Sequence, residues 1–140
     1  MKNILLFIFI ISLFTNCEKD ETIIPCSCPE QLLCTEEYRS VQIEITDEAG
    51  LPYVLDEFYT TQLSDGQKIT LTKPDTAVYT LGKYLVLEDR NLDIVDKCGE
   101  EFKFTGLKND IEVISKTFTI KNNCCHIELI KGETKVVISK

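Results

Sequence analysis

Alternating apolar and polar residues fill much of the chain after residue 39, and this period of two predicts β-strands. Val41, Ile43 and Ile45 alternate with polar residues, so one face of that strand is apolar and the other is wet. Residues 84–87 form a short apolar run, which is typical of a strand buried on both faces. Further strands are predicted at residues 57–63, 68–72, 102–105, 111–121, 126–130 and 134–139.

The apolar positions change parity within residues 111–121. Ile111 and Val113 are apolar at odd positions, whereas Phe118 and Ile120 are apolar at even positions. Because a shift of one residue moves every side chain to the opposite face, we expect a bulge or bend near Ser115. Seven or eight short strands without a clear amphipathic helix predict an all-β fold, a single immunoglobulin-like or transthyretin-like sandwich.

The first sixteen residues have the pattern of an export signal. Lys2 precedes an apolar-rich run over residues 4–14, and a polar pair follows it. At a rise of ~1.5 Å per residue this run covers about half of a ~30 Å hydrocarbon core, so it is too short for a permanent membrane span.

Residues 13–17, Leu-Phe-Thr-Asn-Cys, resemble the lipobox of bacterial lipoproteins. Residues 18–21, Glu-Lys-Asp-Glu, resemble the acidic export tag of Bacteroidota surface lipoproteins. The resemblance implies a cleaved signal peptide at residues 1–16 and palmitate or a similar acyl chain on Cys17. It also implies an outer-membrane lipoprotein of the cell envelope, which faces either the periplasm or the cell surface. The alternative is an ordinary signal peptide with Cys17 as a further thiol. Residues 75–77, Asp-Thr-Ala, resemble a short O-glycosylation sequon, which makes Thr76 a glycosylation candidate.

The cysteine count supports export. Of seven cysteines, six remain after lipidation of Cys17, and an even number in an exported chain predicts a disulfide framework. We predict a lipidated tether and Cys-rich arm at residues 17–37 and the sandwich at residues 38–140. The candidates for disulfides are Cys26, Cys28, Cys34, Cys98, Cys124 and Cys125.

Cys124 and Cys125 are adjacent, and adjacent side chains of a strand point to opposite faces. We therefore expect them to bond to separate partners. Our hypothesis is that one of them joins the final hairpin to the Cys98 loop and the other joins it to the Cys26–Cys34 arm. A loop of about 100 residues closed in this way would stabilise the fold by up to ~4–5 kcal/mol.

Two segments partly match known metal-binding patterns, and each lacks a feature that the pattern requires. Cys124, Cys125 and His126 are an alternative ligand set for Zn²⁺ or Cu⁺, but the paired spacing of structural zinc sites is missing. We expect no metal or other cofactor and a solvent-facing His126. Residues 89–100 match several positions of an EF-hand loop, yet Ile94 replaces the glycine that its turn requires, so we expect a solvated acidic loop.

Composition limits the function classes. The chain of 140 residues has 23 acidic and 15 basic side chains and a formal charge of −8. Removal of residues 1–16 takes one lysine and no acid, so the mature charge is 14 − 23 = −9. Such acidity argues against nucleic acid as a partner. With one histidine, no Gly-x-Ser-x-Gly elbow and no phosphate loop, the sequence predicts no enzymatic activity.

Residues 41–52, with alternating apolar positions followed by Asp47, Gly50 and Pro52, resemble the first strand and turn of carboxypeptidase-regulatory-like domains. These transthyretin-type sandwiches are non-catalytic appendages of exported proteins, so the resemblance implies a binding or structural role. We predict a lipid-anchored envelope domain that contacts the membrane through its acyl chains and has a protein or glycan partner. The alternatives are an inhibitor or sensor of a secreted enzyme and a Cys/His metal-binding or thiol redox protein.

Overall fold

The computed structural model describes residues 26–69, 71 and 81–139. The predicted signal peptide, Cys17 and Thr76 lie outside the described residues. Within the described ranges, no helix has the length and apolar character that a membrane crossing requires.

The described residues form an all-β sandwich, as the alternating pattern predicts. The strands are β1 (Ser40–Asp47), β2 (Glu57–Gln62), β3 (Lys68–Ile69), β4 (Lys83–Glu88), β5 (Glu100–Lys108), β6 (Ile111–Asn122), β7 (Ile127–Lys131) and β8 (Lys135–Ile138). One sheet has the strand order β4-β1-β8 and the other has the order β3-β2-β5-β6-β7. A short 3₁₀ helix (Asp89–Ile94) follows β4.

The apolar faces of the two sheets form a common core. Val41, Ile43 and Ile45 of β1 are buried, as their alternation predicts, while Phe102 and Phe104 of β5 are completely buried in the opposite sheet. A polar contact also crosses the core, because the buried Thr60 hydroxyl of β2 donates to the carbonyl oxygen of Val86 in β4 at 2.7 Å. This bond joins the sheets without leaving the hydroxyl unpaired.

The parity change in β6 is resolved by a bulge. Gly106 of β5 lies opposite Ile114 and Leu107 lies opposite Glu112, so Val113 has no partner across the ladder. The bulge thus lies two residues before the predicted position at Ser115. After the bulge, Ile114, Phe118 and Ile120 are all buried. Val113 is half-buried against the core, but Ile111 before it is 66% exposed.

The sandwich has two distinct ends. The stapled end, named for its disulfides, contains the starts of β1, β5 and β7 and the ends of β4 and β6. The far end contains the turns at residues 47–51 and 108–111, the segment 52–56, and Leu81 with Gly82. Gly82 lies there at a φ of 80°, and a Cβ at this position would be 2.7 Å from the carbonyl oxygen of Ile45. Only glycine allows this close approach.

Candidate functional site at the stapled end

Three disulfides join the described part of the arm, residues 26–37, to the stapled end. The described part of the arm contains no strand or helix before β1, so covalent bonds rather than a ladder fix its course. All six predicted cysteines are paired, with Cα–Cα distances of 5.1, 5.6 and 5.3 Å: Cys26–Cys98, Cys28–Cys124 and Cys34–Cys125.

The predicted connectivity is partly wrong. Cys124 and Cys125 do bond to separate partners, but both partners lie in the arm, and Cys98 also bonds to the arm rather than to this pair. The reason is local backbone geometry. The two residues precede β7 in a bend, and Cys124 has a φ of 81°, so their side chains are not forced to opposite faces of a strand.

The sulfur atoms of Cys124 and Cys125 are both in disulfides, so neither is a thiolate ligand in this structure. Within the described ranges, no three His, Cys, Asp or Glu side chains are grouped so as to hold a metal ion. The alternative ligand set that includes His126 therefore does not converge on a metal.

His126 is buried, and the expectation of a solvent-facing strand residue is wrong. Only 6% of the residue is exposed. Its Nδ1 lies 2.8 Å from Oδ2 of Asp89, and its Nε2 lies 3.1 Å from Oγ1 of Thr35 in the arm. The bend that carries it is fixed by Asn123, whose Oδ1 accepts hydrogen bonds from the backbone N–H groups of Cys125 and His126. Such side-chain to backbone bonds are typical of asparagine in turns.

Asp89 is the centre of this network. Its carboxylate accepts hydrogen bonds from the backbone N–H of Arg39 and of Ile127, each at 2.8 Å, in addition to its contact with His126. The side chain is 10% exposed, so the expected solvated loop is wrong at this residue. Asp89 therefore joins the residue before β1, the 3₁₀ helix and β7 at a single point.

The charge of Asp89 follows from these contacts. Burial acts to raise the pKa of Asp89, but the two backbone N–H donors and the His126 ring outweigh it, and the net pKa is lowered. The carboxylate is therefore ionised near neutral pH and accepts a hydrogen bond from Nδ1–H of His126. In the tautomer with its proton on Nδ1, Nε2 accepts a hydrogen bond from the Thr35 hydroxyl.

The order hydroxyl, imidazole, carboxylate is also that of a nucleophile, its base and the group that orients the base. Acyl transfer needs, in addition, free N–H donors that stabilise an oxyanion. The four consecutive N–H groups around His126 are already engaged: those of residues 124–126 donate to Asn122 or Asn123, and that of Ile127 donates to Asp89. Through His126, these contacts connect Thr35 of the arm with Asp89 of the sandwich.

Sequence reasoning missed Thr35 and Asp89 as members of a site. Thr35 and His126 are 91 residues apart, and Asp89 and His126 are 37 residues apart. No spacing rule connects such positions. The one local signal was the pair Asn122 and Asn123 before Cys124, because asparagines favour turns and argue against a strand through His126.

The chain matches no protein-family model, no curated protein and no solved structure. The stapled end connects the sandwich to the arm, which follows Cys17 in the sequence.

Proposed function

We propose that this protein is a lipid-anchored, non-enzymatic domain of the cell envelope, which its Cys-rich arm keeps next to the membrane so that it can bind a protein partner. The observation that carries the proposal is the set of three disulfides between the arm and the stapled end. Structural disulfides persist in oxidising, extracytoplasmic compartments, which supports export of the chain.

The covalent distance to the membrane is short. Cys17 precedes Cys26 by nine residues, and an extended chain spans at most ~3.6 Å per residue, so the first disulfide lies within about 32 Å of the acylated residue. Because this tether joins the domain at the stapled end, the proposal has the stapled end nearer to the membrane than the far end. A mature charge of −9 does not favour an anionic leaflet, so the acyl chains supply the attachment.

A protein partner is favoured over a glycan by the aromatic side chains. A glycan-binding face needs several exposed aromatic rings side by side. Among the described tyrosines, Tyr38 before β1 is 59% exposed, but Tyr53 is half-buried against the core, and the Nζ of Lys68 lies 3.6 Å from the ring centroid of Tyr59 and covers one of its faces. An inhibitor or sensor of a secreted enzyme is one form that such protein binding would take.

The anchor is tested with the full chain in its own cells. We expect radiolabelled palmitate on the wild-type protein and its recovery with the membranes. The Cys17→Ser variant should carry no label and should leave the membrane fraction, whereas the double variant Cys26→Ser/Cys98→Ser should keep both properties. Label or membrane association that survives in Cys17→Ser would contradict the proposal.

A further inference from the structure

The geometry of the far end points to a docking surface for a protein whose contact area has an apolar centre and a rim of lysine and arginine. Its four exposed apolar side chains supply the centre of the interface: Leu51 is 61% exposed, Val54 46%, Leu81 67% and Ile111 66%. The inference deepens the proposed function, since a membrane anchor at the opposite end would leave this surface accessible.

Contacts between the segments that carry these residues bring them to one end of the sandwich. The backbone N–H of Asp47 donates to the carbonyl oxygen of Leu51 at 2.9 Å and closes the turn. A Cβ on Gly82, the neighbour of Leu81, would be 3.0 Å from the Cβ of Pro52, so the backbone after Leu81 is close to the backbone after Leu51. At the other side of the segment, the carboxylate of Asp56 accepts a hydrogen bond from the backbone N–H of Asn109 at 2.8 Å, which connects the Val54 segment with the turn before Ile111.

The surface is also well ordered before any partner arrives. Oδ1 of Asp47 accepts hydrogen bonds from the backbone N–H groups of Ala49 and Leu51, at 3.0 and 2.9 Å. Asp56 additionally contacts the Nζ of Lys108 at 2.7 Å. Side chains on a preorganised backbone lose less conformational entropy on binding than those on a flexible loop. The exposed leucines and isoleucine are therefore suited to act as anchors.

The charges around these side chains define the partner. Asp56 and Lys108 neutralise each other as an ion pair, and two further lysines near this end, Lys83 and Lys135, both lie opposite Glu44 of β1. The carboxylates in or beside the two turns exceed them and leave this end with a net negative charge: Asp47, Glu48, Asp110 and Glu112. Lysine and arginine at the rim of the partner's contact area complement this charge, whereas a second copy of the chain or an anionic lipid surface would be repelled.

A photocrosslinking amino acid locates the interface in the full, acylated chain in its own cells. We place it at Leu51 or Ile111, and, as matched controls, at the exposed apolar residues Leu63 and Ile130 outside the far end. We expect the same protein adduct from both far-end positions and none from the controls. No adduct, an equal adduct from the controls, or crosslinks to a glycan, to lipid or to a second copy would each overturn the inference.

Binding between the purified protein and the purified partner identified from the crosslinked adduct tests the chemistry of the interface. The substitutions Leu51→Ser and Asp110→Lys should each weaken the affinity about tenfold or more, because they remove an apolar anchor or an attractive charge. Leu63→Ser should leave the affinity unchanged. Raising NaCl from low to about 0.5 M should weaken binding, since a rim of opposite charges is screened. Salt-insensitive binding or equal effects of Leu51→Ser and Leu63→Ser would refute the predicted partner chemistry.

The two proposals fail separately. If the palmitate label is missing but the far-end crosslinks form, the anchor is wrong and the interface stands. If the protein is acylated and found at the membrane without far-end crosslinks, the interface is wrong and the anchor stands.

Discussion

Removal of one disulfide at a time tests how the arm stabilises the fold. Cys28–Cys124 has a sequence separation of 96 residues, and Cys26–Cys98 has one of 72. Treated as independent loops in the chain-entropy model, they stabilise by about 4.7 and about 4.4 kcal/mol. On that basis, loss of Cys28–Cys124 should be slightly more damaging.

The neighbouring disulfides reverse this order. While Cys34–Cys125 is intact, the ring closed by Cys28–Cys124 runs only through residues 28–34 and 124–125, about 9 residues, which corresponds to about 2.6 kcal/mol. The ring closed by Cys26–Cys98 runs through residues 26–28 and 98–124, about 30 residues, which corresponds to about 3.6 kcal/mol. Loss of Cys26–Cys98 should therefore cost more stability, by about 1 kcal/mol.

The assay is urea unfolding at pH 7 without reductant, with the double variants Cys26→Ala/Cys98→Ala and Cys28→Ala/Cys124→Ala. Replacing both partners avoids free thiols that would exchange with the remaining disulfides. We expect the first variant to have the lower free energy of unfolding. Equal stabilities, or a less stable Cys28→Ala/Cys124→Ala, would show that the nested rings do not determine the stabilisation.

Three further predictions concern buried contacts, each read from urea or thermal unfolding. Asp89→Asn should lower the free energy of unfolding at pH 7 by about 2–3 kcal/mol, because it removes the charge from two hydrogen-bonded contacts. The control Asp93→Asn, on the exposed side of the 3₁₀ helix, should change this free energy little. Because folding lowers the pKa of Asp89, its carboxylate stabilises the fold above its unfolded pKa of about 4, and this stabilisation is lost as the pH falls through its pKa in the folded protein. Plots of the unfolding free energy against pH for the wild type and Asp89→Asn should therefore converge in acid, and parallel plots would contradict this. Tyr84→Phe should lose about 1–3 kcal/mol, because the buried N–H of Leu55 loses its acceptor at 2.7 Å, and an unchanged stability would show that water replaces it. Gly106→Ala should cost about 1–3 kcal/mol, because the new Cβ would be 2.5 Å from Cδ1 of Leu55 and 2.7 Å from Cγ2 of Ile114; a neutral result would mean that Leu55 moves aside freely.

The strands were predictable because their signal is local. The alternation at Val41, Ile43 and Ile45 depends only on neighbouring residues, and all three are buried as it indicates. The bulge in β6 was predictable in kind but not in position. Two faces of opposite parity require one extra residue, but the pairing of Gly106 with Ile114 decides that Val113 is that residue.

The site was less predictable, because it depends on contacts between distant segments. The apolar pattern of residues 127–129 predicts a strand that includes His126. In the structure, the side chains of Asn122 and Asn123 accept hydrogen bonds from the backbone of Cys124 and His126, which holds residues 124–126 in a bend before β7. Asp89 had the appearance of one acidic residue among many. Only the approach of Arg39 and Ile127 gives its carboxylate two buried donors.

By itself, the sequence determined the strand pattern, the even set of six cysteines and the acidity that argues against a nucleic-acid partner. The tertiary structure decided which cysteines are bonded, why His126 is buried, and which apolar side chains stay exposed at the far end. The physical reason is the distance along the chain: alternation acts between residues two positions apart, whereas the disulfides and the buried hydrogen bonds of the fold and the site join residues 26 to 96 positions apart. Such pairings exist only after both sheets have packed.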